Sequence, residues 1–379
     1  MRRSTSLAVA LGAASLLLAG CGSDSPATSA SPAAATADGS AQAKAAADRI
    51  AGFMQPATSL NIDVPLKEKP APGKDVVWLE GNIEDIVAIG EGLKAATDAL
   101  GWNLRTLTVD AADPQAQNGA MLQAVAQKPD YIVTSGQPVS TFEEGDKAAM
   151  AAGIPIFDMS SENKPDPATN GIYVNVGLKE LQLRYQQVAD WVIADSDAKA
   201  SVLFVNLPDF HVLVTAAGYA KEQFASECSG CKVAELNATI ADLTSGAVPS
   251  SVVSYLQSHP DVTHVVFAIG QIGSGVREAM DGAGVGQNVK ISGANPQKAN
   301  VQALIDKKES SWLTLPRAAQ AWNVADAMAR HSEGMDLAPI NDAAVAYQFW
   351  TQDNVPTPAG EYLGATDYQN SWKTLWKLS

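Results

Sequence analysis

From Asp75 onward, short runs rich in β-branched and aromatic residues alternate with helix-length stretches, and few architectures accommodate that order. Val76–Leu79 precedes a helix from about Glu84 to Leu100, stopped by Gly101. Leu104–Val109 leads to a helix near Pro114–Gln127, Tyr131–Val133 to one near Thr141–Ala152, and Gly153–Phe157 forms a fourth strand. Strands joined through helices run parallel, because a parallel pair needs a crossover of a dozen or more residues. The alternation therefore predicts parallel sheets with helices on both faces. After a long helix from about Leu178 to Asp195 the pattern restarts. Its strands are Ser201–Asn206, Val233–Leu236, His264–Ala268 and Val289–Ser292, and its helices lie near Val214–Ser226, Ser250–His259 and Gly275–Gly282. Trp312–Leu315, a helix from Pro316 to about Ser332 and a last strand at Ala346–Thr351 complete the series. Two similar βα series in one chain predict two lobes.

The N-terminus carries a different signal. Arg2 and Arg3 precede an apolar run from Leu7 to Leu18, small residues sit just before Cys21, and Gly22-Ser23-Asp24 is polar at once. These are the basic, apolar and cleavage regions of an export signal, and the run falls short of the ~20 residues that span a bilayer. The junction Leu18-Ala19-Gly20-Cys21 resembles the lipobox of bacterial lipoproteins, which implies a signal peptide over 1–20 and lipidation of Cys21. The expected location is the extracytoplasmic face of the cell membrane. Residues 21–43, mostly Ser, Ala, Thr and Pro, bury too little to order themselves and read as a tether; 44–73 read as an N-terminal extension that includes a short helix over Ala43–Met54. Loss of Arg2 and Arg3 takes the net charge from −15 to −17, which argues against nucleic acid. The remaining length suffices for two domains of about 150 residues.

With Cys21 lipidated, Cys228 and Cys231 remain, spaced Cys-x-x-Cys. A local disulfide, a redox-active pair and half of a zinc site are the readings. An oxidising compartment favours the first. A thioredoxin-like pair would open a helix, whereas Lys232 here starts the apolar run Val233–Leu236. A zinc site would need two more ligands, and His211, His259, His264 and His331 show no paired spacing. No metal and no cofactor are expected. Nor is an enzyme: there is no Gly-x-Ser-x-Gly, no His-Glu-x-x-His, no phosphate loop and no Gly-x-Gly-x-x-Gly after a strand. Gly282-Ala283-Gly284-Val285-Gly286 follows a helix and reads as its stop.

Several segments then occur in a telling order: Gly92-Leu93-Lys94-Ala95-Ala96, Leu100-Gly101-Trp102, Lys128 to Val133, Ala152 to Ile156, and Phe349 to Val355. In this order the chain resembles a type I periplasmic binding protein of the ribose-binding class, a solute receptor of ABC importers, from about Lys74 to Val355. The resemblance implies an α/β fold of two Rossmann-like lobes with parallel sheets joined by three crossover strands. The N-terminal lobe is expected over 74–177, completed by about 296–320, and the C-terminal lobe over 178–295, completed by about 321–355, with a tail at 356–379. It also implies a monomer that captures a small molecule between closing lobes and delivers it to an ABC permease. A ligand-sensing lipoprotein that presents its ligand to a membrane signalling receptor is the alternative.

In open α/β sheets the crevice lies outside the carboxyl ends of the strands. The side chains delivered there are Glu80, Asn82 and Asp85 after the first strand, Ser135 and Gln137 after the third, and Asp158 and Ser160 after the fourth. In the second series they are Phe210 and His211 after the first strand, Gln271 after the third and Asn295 after the fourth. Each polar one also stands where a helix N-terminus leaves backbone NH groups to cap. Asp158 is more pointed, since a carboxylate must find a partner or stay wet. Sugar-binding members carry an Asp-Arg pair where this chain has Ser160-Ser161, an arginine near Thr215–Tyr219, and Asn-Asp where it has Gly270-Gln271. The expected ligand is therefore a sugar, a sugar-like molecule or another small polar solute.

Overall fold

The computed structural model describes residues 39–378 apart from 112, 114 and 344; the signal peptide, Cys21 and most of the tether lie outside the described residues. After helix α1 (Gly39–Ile50), the first lobe is built by β1 (Asp75–Gly81), α2 (Glu84–Leu100), β2 (Asn103–Val109), α3 (Ala116–Ala126), β3 (Tyr131–Ser135), α4 (Glu143–Ala152), β4 (Ile156–Met159) and β5 (Ile172–Val176). The second follows with α5 (Leu178–Asp195), β6 (Ser201–Asn206), α6 (His211–Glu227), β7 (Lys232–Asn237), α7 (Ile240–Ser245), α8 (Val248–Ser258), β8 (His264–Phe267), α9 (Val276–Ala283), β9 (Lys290–Ala294), α10 (Lys298–Ile305) and β10 (Ser311–Leu313). Then come α11 (Arg317–Ser332), α12 (Ala338–Asp342), β11 (Phe349–Thr351) and α13 (Tyr368–Leu375). None of the helices among the described residues is long and apolar enough to cross a membrane.

The sheets are ordered β2-β1-β3-β4-β5 and β7-β6-β8-β9-β10-β11, with β11 alone antiparallel to its neighbour. Central strands are covered on both faces, so β3 is buried at every position and Val76 to Leu79 of β1 likewise. Helix α11 returns to the first lobe and packs along α2. The approach is close enough that a Cβ at Gly92 would lie 2.5 Å from the Ala318 Cα, so only glycine fits there.

The chain passes between the lobes at Gly177, at residues 314–316 and at 345–348. Gly177 makes the first passage with φ 93°, a left-handed conformation suited to glycine. The other two are laced together: Thr314 N–H donates to the Gln348 carbonyl (2.8 Å) and Gln348 N–H to Thr314 Oγ1 (3.0 Å). This order corrects the expected completion of the lobes. Residues 298–313 extend the second sheet, because β10 pairs in parallel with β9 as one more βα unit, and the chain crosses only afterwards to place α11 on the first lobe.

The extension and tail are integral. Residues 39–43, expected in the tether, are helical, and Ala43 and Ala46 bury the α1 face against α5, where Arg49 pairs with Asp190 (2.7 Å) and Glu227 (3.0 Å). The chain then runs past the third passage, with Phe53 stacked on Tyr347, to the first lobe, where the Val64 carbonyl accepts from Arg330 Nη2 (2.6 Å). The tail leaves β11 and docks α13 on α11, stacking Trp376 on Trp322 with ring centroids 5.1 Å apart. At the turn after α6, Cys228 and Cys231 are bonded, with Cα atoms 5.4 Å apart.

Two buried carboxylates show how the interior handles charge. Asp158, at the end of β4, is fully buried and is met by Thr134 Oγ1 (2.9 Å), Ser161 Oγ, Asn163 Nδ2 (2.7 Å) and its neighbour's N–H (2.9 Å). Burial pushes its carboxyl above the ordinary range, opposed by these four donors. Glu309, before β10, accepts from Trp312 Nε1 (2.6 Å), and burial pushes it up to about 8. Replacing Asp158 by Ala strands its donors in a dry interior, at a cost of about 3 kcal/mol. The melting temperature should fall by roughly 6–12 °C, at about 2–4 °C per kcal/mol. Glu309 binds its proton more tightly folded than unfolded, where glutamate titrates near ~4.3. Its stabilisation is complete below that pH and is lost as pH rises toward 8. Thermal melts of Glu309→Gln across this range should accordingly decline less with rising pH than those of the wild type.

Candidate functional site

Each sheet reverses its strand order between its first and third strands, β1 and β3 in one and β6 and β8 in the other. Loops leaving such neighbours diverge and open a crevice at the carboxyl ends. The two crevices face each other and enclose a cavity of about 690 Å³, its mouth included, within the size range of small-molecule sites. The first lobe contributes Ile83, Asp85, Ile86, Ile89, Ser135, Gly136, Ser160 and Ser161; the second contributes Leu181, Arg184, Tyr185, Phe210, Val212, Leu213, Ile269 and Asn295. Gly177 and Leu315 come from the passages and Arg317 from the start of α11.

Ser160 and Asn295 hold equivalent places, each directly after the fourth strand of its sheet. Both adopt the left-handed conformation, with φ 52° and 51°, and both donate their N–H toward the fifth strand, to Val176 O (3.0 Å) and Leu313 O (2.8 Å). Non-glycine residues held in this region concentrate at functional sites. Arg317 joins the lobes beside Asn295. Its guanidinium donates to Asp85 Oδ1 (Nε 2.7 Å) on the first lobe and to the Asn295 and Pro296 carbonyls (3.0 and 3.2 Å) on the second. Gln297 reaches Asp85 from the second lobe as well. Arg184, on α5, donates to Asn295 Oδ1, and the Tyr185 hydroxyl donates to the Ala268 carbonyl (2.9 Å), with burial pushing that phenol up to about 12.

Of the residues expected from the sequence, the cavity brings together Asp85, Ser135, Ser160, Phe210 and Asn295. The other six stand outside its lining. Glu80 turns along α2 and accepts from Trp78 Nε1 (3.0 Å). Asn82 is exposed and caps the β2 loop, bonding Asp110 and the Ala111 N–H. Gln137 lends only its carbonyl, to Asn163 (2.9 Å), and Gln271 sits half-buried on a single 3₁₀ turn over 270–273. Asp158, expected in a wet cleft, is instead consumed inside the first lobe by the donors described above. His211 begins α6 at the surface and pairs with Glu162 of the other lobe, which also receives the Thr215 hydroxyl; it bridges the lobes beside the cavity.

Both arginines and most of the aliphatic wall lie outside what the sequence predicts. The resemblance points to an arginine in the loops and in the α6 stretch near Thr215–Tyr219, whereas these two rise from helices that start at lobe passages: Arg184 six residues after Leu178, Arg317 at the first position of α11. Cations at otherwise core-facing helix positions were the available signal. Among the described residues no group of three or more His, Cys, Asp or Glu side chains is placed to hold a metal.

Residues 75–336 match the family model described as periplasmic binding protein domain. No curated protein matches the chain. Among solved structures it is similar to a 5-methylthioribose transporter solute-binding protein from Thermotoga lettingae (TM-score 0.69, 16% identity, covering 84% of this chain and 100% of that one). An ABC sugar transporter subunit from Rhodobacter sphaeroides gives 0.65 at 20% identity, covering 75% and 99%. A glucose–galactose binding protein from Geobacillus stearothermophilus gives 0.64 at 16%, covering 76% and 100%. With more than half of its length matched by that model and two α/β lobes facing across one cavity, the chain belongs to the periplasmic binding protein family, in its type I form.

Proposed function

We propose that this protein is the lipid-anchored solute-binding component of an ABC importer, holding one small molecule between its lobes and presenting the closed form to a permease. The observation that carries this reading is the cavity walled by both lobes at the carboxyl ends of both sheets. A ligand touching both walls binds the closed arrangement more tightly than the open one and shifts the population toward closure. That shape difference is what a permease reads. Anchoring rests on the Cys21 junction alone, and function as a monomer on the resemblance.

A true ligand at about 100 times its dissociation constant should add ~2.7 kcal/mol and raise the melting temperature by roughly 5–10 °C. Small-angle scattering should record a smaller radius of gyration at the same time. A bound molecule that neither stabilises nor compacts the protein would contradict the closing mechanism. For the anchor, wild type should sediment with membranes and Cys21→Ala should not; equal partition of the two would remove lipidation from the proposal.

A further inference from the structure

We infer that the cavity selects a small carboxylate with a compact hydrocarbon body, its carboxylate set against Arg184. This rests on the solute-binding reading and adds the class of ligand.

The walls speak first. Ile83, Ile86 and Ile89 follow one another from the start of α2, and Leu213, Ile269 and Leu315 also line the space. A ligand dense in hydroxyls would leave some of them unpaired against these side chains, at about 1–3 kcal/mol each. A branched alkyl group instead gains about 0.8 kcal/mol for each CH₂ removed from water. Among the polar lining groups Asp85, Ser160, Ser161, Tyr185, Asn295 and Arg317 already hold protein partners, which leaves few to orient an apolar ligand by one end.

The charges then fix which end. Three ionic side chains line the cavity: Asp85, Arg184 and Arg317. Asp85 and Arg317 neutralise each other at 2.6 Å. Arg184 is only 6% exposed and makes no ion pair within 4 Å among the described residues; one donor reaches Asn295 Oδ1, and its Nε is buried without a partner. The nearest carboxyl on its own helix, Glu180, accepts from the Val345 N–H (2.8 Å) and feels the charge of Arg184 without coming into ion-pair contact with it. A buried guanidinium with an open donor is the strongest attraction the cavity offers, and a carboxylate matches it best. Ser135 adds a buried hydroxyl on the opposite wall.

The test is a titration of the purified full-length protein with 4-methylpentanoate, 4-methylpentanamide, D-ribose and D-glucose, followed by calorimetry, thermal shift and small-angle scattering. The acid should stabilise and compact the protein, bind at least tenfold more tightly than its amide, and outcompete both sugars. Arg184→Gln, checked for folding by circular dichroism, should bring acid and amide to within about twofold. If that variant does not fold, the wild-type comparison of acid with amide still decides, and Ile269→Asn should weaken the acid more than tenfold. Equal binding of acid and amide overturns the role of Arg184. Stabilisation and compaction by a sugar with none by the acid overturns the ligand class and leaves the solute-binding reading standing. Absence of stabilisation and compaction by all four, with no co-purified molecule in native mass spectra, overturns both.

Discussion

A single buried guanidinium, that of Arg317, holds the geometry of the molecule's centre. It stands directly after the second passage and binds a carboxylate of one lobe and two main-chain carbonyls of the other. A cation taken out of water costs several kcal/mol, which only close partners offset. Here those partners are Asp85 and the Asn295 and Pro296 carbonyls of the turn after β9, the first of which also accepts the Gly270 N–H. The pair therefore contributes little net stability and a great deal of position: it sets where the first turn of α2 stands relative to the end of β9.

The left-handed residues Ser160 and Asn295 shape the cavity's edge in the same way on each lobe. Each directs its peptide N–H to the neighbouring fifth strand, and each then turns the chain sharply at the cavity edge. Their equivalence reflects two copies of one strand order facing each other. Beyond that turn the lobes differ. Ser160 leads into the Asp158–Ser161–Asn163 network, a self-contained polar knot within the first lobe. Asn295 is succeeded by Pro296 and Gln297, which turn toward Arg317 and Asp85. The first side is thus braced largely within its own lobe, with Glu162 alone of this segment reaching His211 and Thr215 across the gap, and the second is braced across the gap by Gln297 and Arg317.

Much of this was legible in the sequence, for identifiable reasons. Helices α2 and α5 and strand β6 fall where their residues predict, because an unbroken apolar period between clear stops leaves one solution. Strand β5, missed, is a short Ile-Tyr-Val-Asn-Val run stranded after a proline-rich loop, and α13 hides its period in a tail of Gly, Pro and Asp. At the site, Asp85, Ser135 and Asn295 could be found because strand ends point into the crevice by topology. Asp158 could not be separated from them, since a strand-end carboxylate serves a ligand or a loop depending on neighbours that only the fold supplies. Arg184 and Arg317 needed the angle between helix and sheet, which no local pattern contains.

The family match spans 75–336, so the extension from α1 and the tail to α13 lie beyond it, and each of them runs from the second lobe to the first. Five passages of chain, rather than three, therefore join the lobes. Each added passage removes orientations that the empty protein would otherwise sample. A ligand that closes such a molecule has less disorder to quench, so more of its contact energy survives as affinity. On the proposed closing mechanism, the extra ends of this chain would act on binding through the freedom of the unliganded state, without touching what is bound.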